Sequence, residues 1–186
     1  MDQTEYLHRK SLRLNYYDYS QSGAYFVTIC TFHHRQLFGE VQNGEMQLNG
    51  VGRLAAAQWL QLEFRFTCLE LGEWVVMPNH IHGILVLRGT GEASQQKGSP
   101  LPTRSVNDAS PLRPTGTTPG SIGAIIQNFK SVTSRKLSER SSISKESIWQ
   151  RNYYEHIIRN EREMQAITDY ILTNPQNWEK DSEYHA

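Results

Sequence analysis

Two histidines one residue apart, His80 and His82, are the first residues whose types and spacing could do chemistry. They sit in HIHGILVL, an apolar and β-branched run that reads as a strand. Alternate side chains of a strand share a face, so both imidazoles project together, with Ile84 and Val86 beside them. Such a pair can hold one divalent metal, or can form a satisfied polar pair at a strand end. Position 84 is isoleucine, so there is no third alternating histidine of the nucleotide-hydrolase type. No HExxH helix is present either. The two cysteines, Cys30 and Cys68, make no CxxC pair and no disulfide framework. A metal on the histidines therefore needs an oxygen donor from elsewhere in the chain.

Tyr170 and Asn174, in TDYILTNP, are the second candidates. Four residues apart, they lie one turn apart on one helix face. Met164, Ile167 and Ile171 form the apolar stripe of that helix, which places Tyr170 at its edge. There the ring can pack while the hydroxyl stays accessible. Asn174 could supply the missing oxygen. The same pattern also suits an ordinary boundary tyrosine.

Basic residues interleaved with aromatics are the third feature. Arg9, Lys10 and Arg13 precede Tyr16, Tyr17 and Tyr19. Lys130, Arg135, Lys136 and Arg140 punctuate one helical stretch, and Arg151, Tyr153, Tyr154, His156 and Arg159 crowd WQRNYYEHIIR. These can be solvated charges, or a phosphate track with stacking platforms for single-stranded nucleic acid. Overall, 19 Lys+Arg balance 19 Asp+Glu. That argues against a binder held by bulk positive charge and allows a local groove.

The elements that must position these groups follow from periodicity. Tyr25 to Phe32 reads as a strand, and Asn43-Gly44 as a type I′ hairpin turn. From Asn49, a plausible N-cap, to about Phe66 the period is helical, through Val51, Ala55, Trp59 and Leu62. Leu69 to Met77 and His80 to Leu87 read as two strands joined at Pro78-Asn79. Ser121 to about Arg140 is an amphipathic helix with Ile122, Ile125, Ile126, Phe129 and Val132 on one side. Asn152 to Ile158 is a strand, and Asn160 with Glu163 starts a helix that ends near Asn174, before Pro175. The order βαββαβ is that of a ferredoxin-like antiparallel sheet, an α+β class, followed by a C-terminal helix.

The 186 residues, with 38% hydrophobic content, suit a single domain over 1–186. Residues 89–120 interrupt it with five of the chain's seven prolines among glycine, serine and threonine, and read as a flexible insertion. No apolar run approaches a membrane span, and the N-terminus lacks the apolar core of a secretion signal. The expected compartment is a reducing cytoplasm, with no membrane partner.

Taken in order, WVVMPNHIHGILVL, FKSVTSRK, WQRNYYEHIIRN and DYILTNP resemble a REP-associated tyrosine transposase, a branch of the single-tyrosine HUH transposases of insertion sequences. The resemblance spans the chain apart from the insertion and the extreme ends. It implies the ferredoxin-like fold with a catalytic C-terminal helix. It implies Mg²⁺ or Mn²⁺ bound by His80, His82 and Asn174, and Tyr170 as nucleophile. It implies cutting of single-stranded or hairpin DNA, such as a repeated palindrome, through a 5′-phosphotyrosine link, followed by rejoining without ATP. Related transposases work as dimers, so a homodimer is compatible with it. DNA contacts would fall to Arg9, Lys10, Arg13, Lys130, Arg135, Lys136, Arg151, Tyr154, His156 and Arg159. No general base is identified, and His156 stands only as a candidate. Two other readings stay open: a domesticated relative that binds structured single-stranded nucleic acid without cutting it, and a metal hydrolase of small phosphoesters.

Overall fold

The structure is a computed structural model that describes residues 21–88, 118–140 and 148–184. The basic residues Arg9, Lys10 and Arg13 lie outside the described residues, as does the insertion up to residue 117.

Strand β1 is Gly23–Cys30. A hairpin follows, β2 (Gly39–Gln42) and β3 (Glu45–Leu48). At its turn Asn43 and Gly44 have φ of 53° and 77°, the two positive values that a type I′ turn requires. Helix α1 is Gly50–Leu60, capped by the Asn49 side chain on the N–H groups of Val51 and Gly52. The helical period runs on toward Phe66 as expected. The helix itself breaks at Gln61, and Leu62–Arg65 forms a separate short turn, α2. Strands β4 (Leu69–Val76) and β5 (His80–Leu87) pair around an irregularity between Leu71 and Trp74.

Helix α3 is Ile122–Arg140. Its buried stripe continues from Phe129 through Thr133 and Leu137, at steps of four, so Val132 lies beside the stripe and not on it. Strand β6 is Tyr154–Ile158, starting two residues later than its aromatic run suggests. Helix α4 is Glu161–Thr173, with Asn160 accepting from the Glu163 N–H and Asn174 as its last cap. A 3₁₀ helix, Pro175–Lys180, follows.

The main sheet has the order β4-β5-β1-β6, with every neighbouring pair antiparallel. Leaving the hairpin aside, this is the split βαβ order expected of a ferredoxin-like α+β fold. Period two then divides the sheet into two faces. Tyr25, Val27, Ile29, Ile81 and Leu85 face α1 and α3, in the larger core with Trp59, Ile125 and Phe129. Phe26, Ile84 and Ile158 face the opposite way and are covered by Ile171, Ile167 and Met164 of α4. His80 and His82 belong to this second face, beneath α4. Gly83 lies between the faces' demands. A Cβ there would stand 2.4 Å from Trp59 Cζ2, so only glycine lets the indole press against the strand that carries the histidines. Among the described residues, no helix is long and apolar enough to cross a membrane.

Candidate active site

Both histidines are buried, and the strand alternation brings their ring centroids to 4.2 Å. Neighbouring groups set their ring orientations. Asn79 Nδ2 donates to the Glu183 carbonyl at 2.7 Å, which turns Asn79 Oδ1 toward His80 Nδ1 at 2.8 Å. An amide oxygen only accepts, so Nδ1 carries the His80 proton and Nε2 carries the lone pair. That Nε2 is buried without a hydrogen-bond partner. Burial first, then the neighbouring His82, holds the His80 pKa well below the usual value, despite the nearby Asp181 carboxylate. The ring is therefore a neutral donor toward a cation.

His82 Nδ1 lies 2.9 Å from Thr28 Oγ1, its partner across the β1–β5 register. A hydroxyl can donate or accept, so Thr28 can serve either tautomer. His82 Nε2 faces α4. The Tyr170 hydroxyl lies 3.1 Å from it and donates to Asp181 Oδ2 at 2.5 Å. Phe26 packs against both rings, with centroids 5.3 Å from His82 and 6.1 Å from Tyr170. The tyrosine is 39% exposed, so its hydroxyl is at once anchored and reachable.

Asp181 is the residue that sequence reasoning missed. It follows the 3₁₀ helix, and its carboxylate turns back under α4 to a point 3.6 Å from His82 Nε2. Asn174 Nδ2 donates to the same Oδ2 at 2.5 Å, and the Glu183 N–H donates to Oδ1 at 2.7 Å. Burial alone would raise this carboxyl, but hydrogen bonds involving His82, Tyr170, Glu183 and Asn174 outweigh it and hold the carboxyl far below its usual range. The tyrosine moves the other way: burial, then the Asp181 hydrogen bond and charge, push its hydroxyl well above the ordinary value.

His80, His82 and Asp181 thus offer ligand atoms within 4.8 Å of one another, a His/His/Asp group able to hold a metal ion. Asn174, the ligand expected on sequence, is buried at the same carboxylate, and its Oδ1 has no hydrogen-bond partner. Two orphaned buried acceptors, His80 Nε2 and Asn174 Oδ1, are what a cation would satisfy. The donor set of imidazole, carboxylate and amide fits a divalent ion. Phe26, Thr28, His82, Tyr154, Tyr170 and Ser182 line an open cleft of about 310 Å³ at this point.

The other expected residues scatter. Tyr154 lines the cleft. His156 pairs instead with Glu163 at 2.6 Å, and Arg159 donates its N–H to the same carboxylate, so both belong to the start of α4. The acceptor in contact with the Tyr170 hydroxyl is Asp181, not His156. Lys130 turns inward, donating to the carbonyls of Gln150 and Asn152 at 2.8 Å each. It lines a second cleft of about 450 Å³ with Arg151 and Tyr153. Arg135 is exposed and Lys136 half-buried on α3.

No protein-family profile matches this chain. An uncharacterized protein of Haemophilus influenzae (strain ATCC 51907 / DSM 11121 / KW20 / Rd) is 39% identical over 180 residues, which are 95% of this chain and 93% of that protein. Among solved structures, a REP-associated tyrosine transposase bound to a REP hairpin aligns with a TM-score of 0.55. That alignment covers 89% of this chain and 74% of the other, at 18% identity, and is a likeness of fold.

Proposed function

This chain belongs to one family with the Haemophilus influenzae protein and has the fold of the REP-associated tyrosine transposase, and from that premise we propose that it nicks and rejoins single-stranded DNA through Tyr170. The observation that carries the proposal is the meeting of the Tyr170 hydroxyl with His82 Nε2, 3.1 Å apart, at a His/His/Asp group. A metal hydrolase of small phosphoesters has no use for a tyrosine there.

Bound at His80, His82, Asp181 and Asn174, Mg²⁺ or Mn²⁺ would act as a Lewis acid on the scissile phosphate. The protein's own groups do the rest. Tyr170 oxygen attacks phosphorus, the bond to the 3′ oxygen breaks, and that oxygen takes up a proton to leave as a 3′-OH. The product is a 5′-phosphotyrosine, which keeps the ester's energy for rejoining. Burial and the neighbouring Asp181 carboxylate keep Tyr170 protonated before an ion binds, so attack requires that proton to be lost. Asp181 Oδ2 already accepts from the hydroxyl, so it orients the nucleophile. Tyr154 in the cleft and exposed Arg159 just before α4 would meet a strand entering it, whereas Arg135, Lys136 and Arg151 lie on the α3 side of the sheet, where they would meet only DNA that wraps around the sheet edge. The solved relative's bound REP hairpin makes a hairpin the substrate to try first. The working unit is a single domain over 1–186, alone or as a homodimer.

The test is a hairpin-containing single-stranded oligonucleotide incubated with Mn²⁺ or Mg²⁺. Wild type should form a protein–DNA adduct stable to denaturant, and Tyr170→Phe should form none. An equal adduct in Tyr170→Phe overturns the proposal. Tight hairpin binding with no adduct under either metal would instead identify a non-cleaving binder.

A further inference from the structure

We propose that Cys30, His34 and Glu183 form a second cation site, one suited to Zn²⁺, beside the His80/His82/Asp181 group and separate from it in chemistry. Cys30 Sγ lies 3.4 Å from Glu183 Oε2, and His34 Nδ1 lies 3.6 Å from the same oxygen. All three donor atoms fall within 4.8 Å of one another. Ligands about 2.0–2.3 Å from a tetrahedral zinc stand roughly 3.3–3.8 Å apart, so the cluster is already near that size.

The three residues come from places far apart in the chain: the end of β1, the 3₁₀ turn Phe32–His34, and the C-terminal segment. The turn holds its shape under strain. His33 and His34 both have left-handed φ, 53° and 51°, which side chains rarely adopt in succession. Strain of this kind persists where a site requires it. The His34 ring is also held from behind, with Nε2 at 2.7 Å from the Gln150 side-chain amide. The amide nitrogen, as placed, donates to that ring nitrogen, and Nδ1 is the ring atom that faces Glu183. An imidazole ligating through this near nitrogen would carry its proton on the far one, with the Gln150 amide turned so that its oxygen accepts it.

Donor type separates the two clusters. Thiolate with imidazole and carboxylate favours Zn²⁺, whereas the first group has no sulfur and suits a harder ion. The C-terminal segment joins them, because Glu183 N–H donates to Asp181 and Glu183 C=O accepts from Asn79. An ion on Glu183 would therefore fasten the segment that presents Asp181 to the histidines.

Co²⁺ replaces Zn²⁺ and gives a thiolate charge-transfer band in the near ultraviolet, which reads this site without any DNA cleavage. The full chain, stripped with chelator and titrated with Co²⁺, should develop that band, and one equivalent of Zn²⁺ should abolish it. Cys68→Ser should keep the band, and Cys30→Ser should lose it. His34→Gln, at a half-exposed position, tests the site without opening the core, and should weaken Zn²⁺ binding at least about tenfold. Wild type that binds Co²⁺ with no thiolate band overturns the proposal, as does a band that survives Cys30→Ser. Either result leaves the Tyr170 reading standing, since adduct formation is measured separately.

Discussion

The Tyr170 hydroxyl donates to Asp181 Oδ2 at 2.5 Å, across eleven residues that include the whole 3₁₀ helix. The contact couples a nucleophile candidate to a carboxylate that shares its hydrogen bonds with Asn174 and the backbone of Glu183. Two acidic groups that share a proton move their ionisation in opposite directions.

Asp181→Asn should separate them. In the metal-free protein, Tyr170 is raised by burial and then by the Asp181 hydrogen bond and charge. Without the carboxylate, burial and the weaker Glu183 field still raise it and the Asn174 hydrogen bond lowers it, so Tyr170 should ionise at lower pH. Subtracting the ultraviolet titration of the matching Tyr170→Phe protein isolates this one phenol. An unchanged titration in Asp181→Asn would show that burial alone sets it.

Thr28→Val removes the hydroxyl that orients His82 Nδ1 at 2.9 Å while keeping a β-branched shape in the strand. The expected loss is about tenfold in Mn²⁺ affinity, read by calorimetry. The stability cost should stay near 1 kcal/mol, the net worth of one hydrogen bond. An affinity equal to wild type would mean that His82 needs no partner on β1.

Gly83→Ala places a methyl 2.4 Å from Trp59 Cζ2, in contact with a rigid indole that is fully buried. Overpacking of this kind costs typically about 1–3 kcal/mol, measured by urea denaturation. Because Gly83 directly follows His82, metal affinity should fall with stability. Wild-type stability in Gly83→Ala would mean that the indole can move aside.

Lys130 supplies a pH test away from the His80/His82/Asp181 group. Burial, opposed by the nearby Cys30, lowers its pKa from 10.5 to about 8. Below about pH 8 it is charged in both folded and unfolded chains. Between those two values the unfolded chain binds a proton that the folded protein has released, so stability rises with pH. The stability of wild type minus that of Lys130→Met should grow over this window, by roughly 1.4 kcal/mol per pH unit at most. A flat difference would mean that the two carbonyl partners hold the ammonium charged.

Metal-candidate histidines on one sheet face were legible from HIH because strand alternation is set by covalent geometry. The pairing of Tyr170 with Asn174 was legible for the same kind of reason, a helical turn. Asn160 and Glu163 announced the helix that carries them, and their capping contact is present at 2.9 Å. The strand order that puts Thr28 opposite His82 could be expected only as far as the fold class could. Lys130 looked like a solvent-facing charge because nothing local reveals the two carbonyls it reaches.

By itself, then, the sequence determined each pair of groups related by a local repeat: His80 with His82, and Tyr170 with Asn174. Tertiary structure alone decided that the second pair lies over the first, and that Asp181 and Glu183 return to meet them. Their distance from the histidines along the chain corresponds to no period. The returning segment is held by buried hydrogen bonds, from Asn79 to the Glu183 carbonyl and from Tyr170 and Asn174 to Asp181, which exist only once sheet and helix have excluded water.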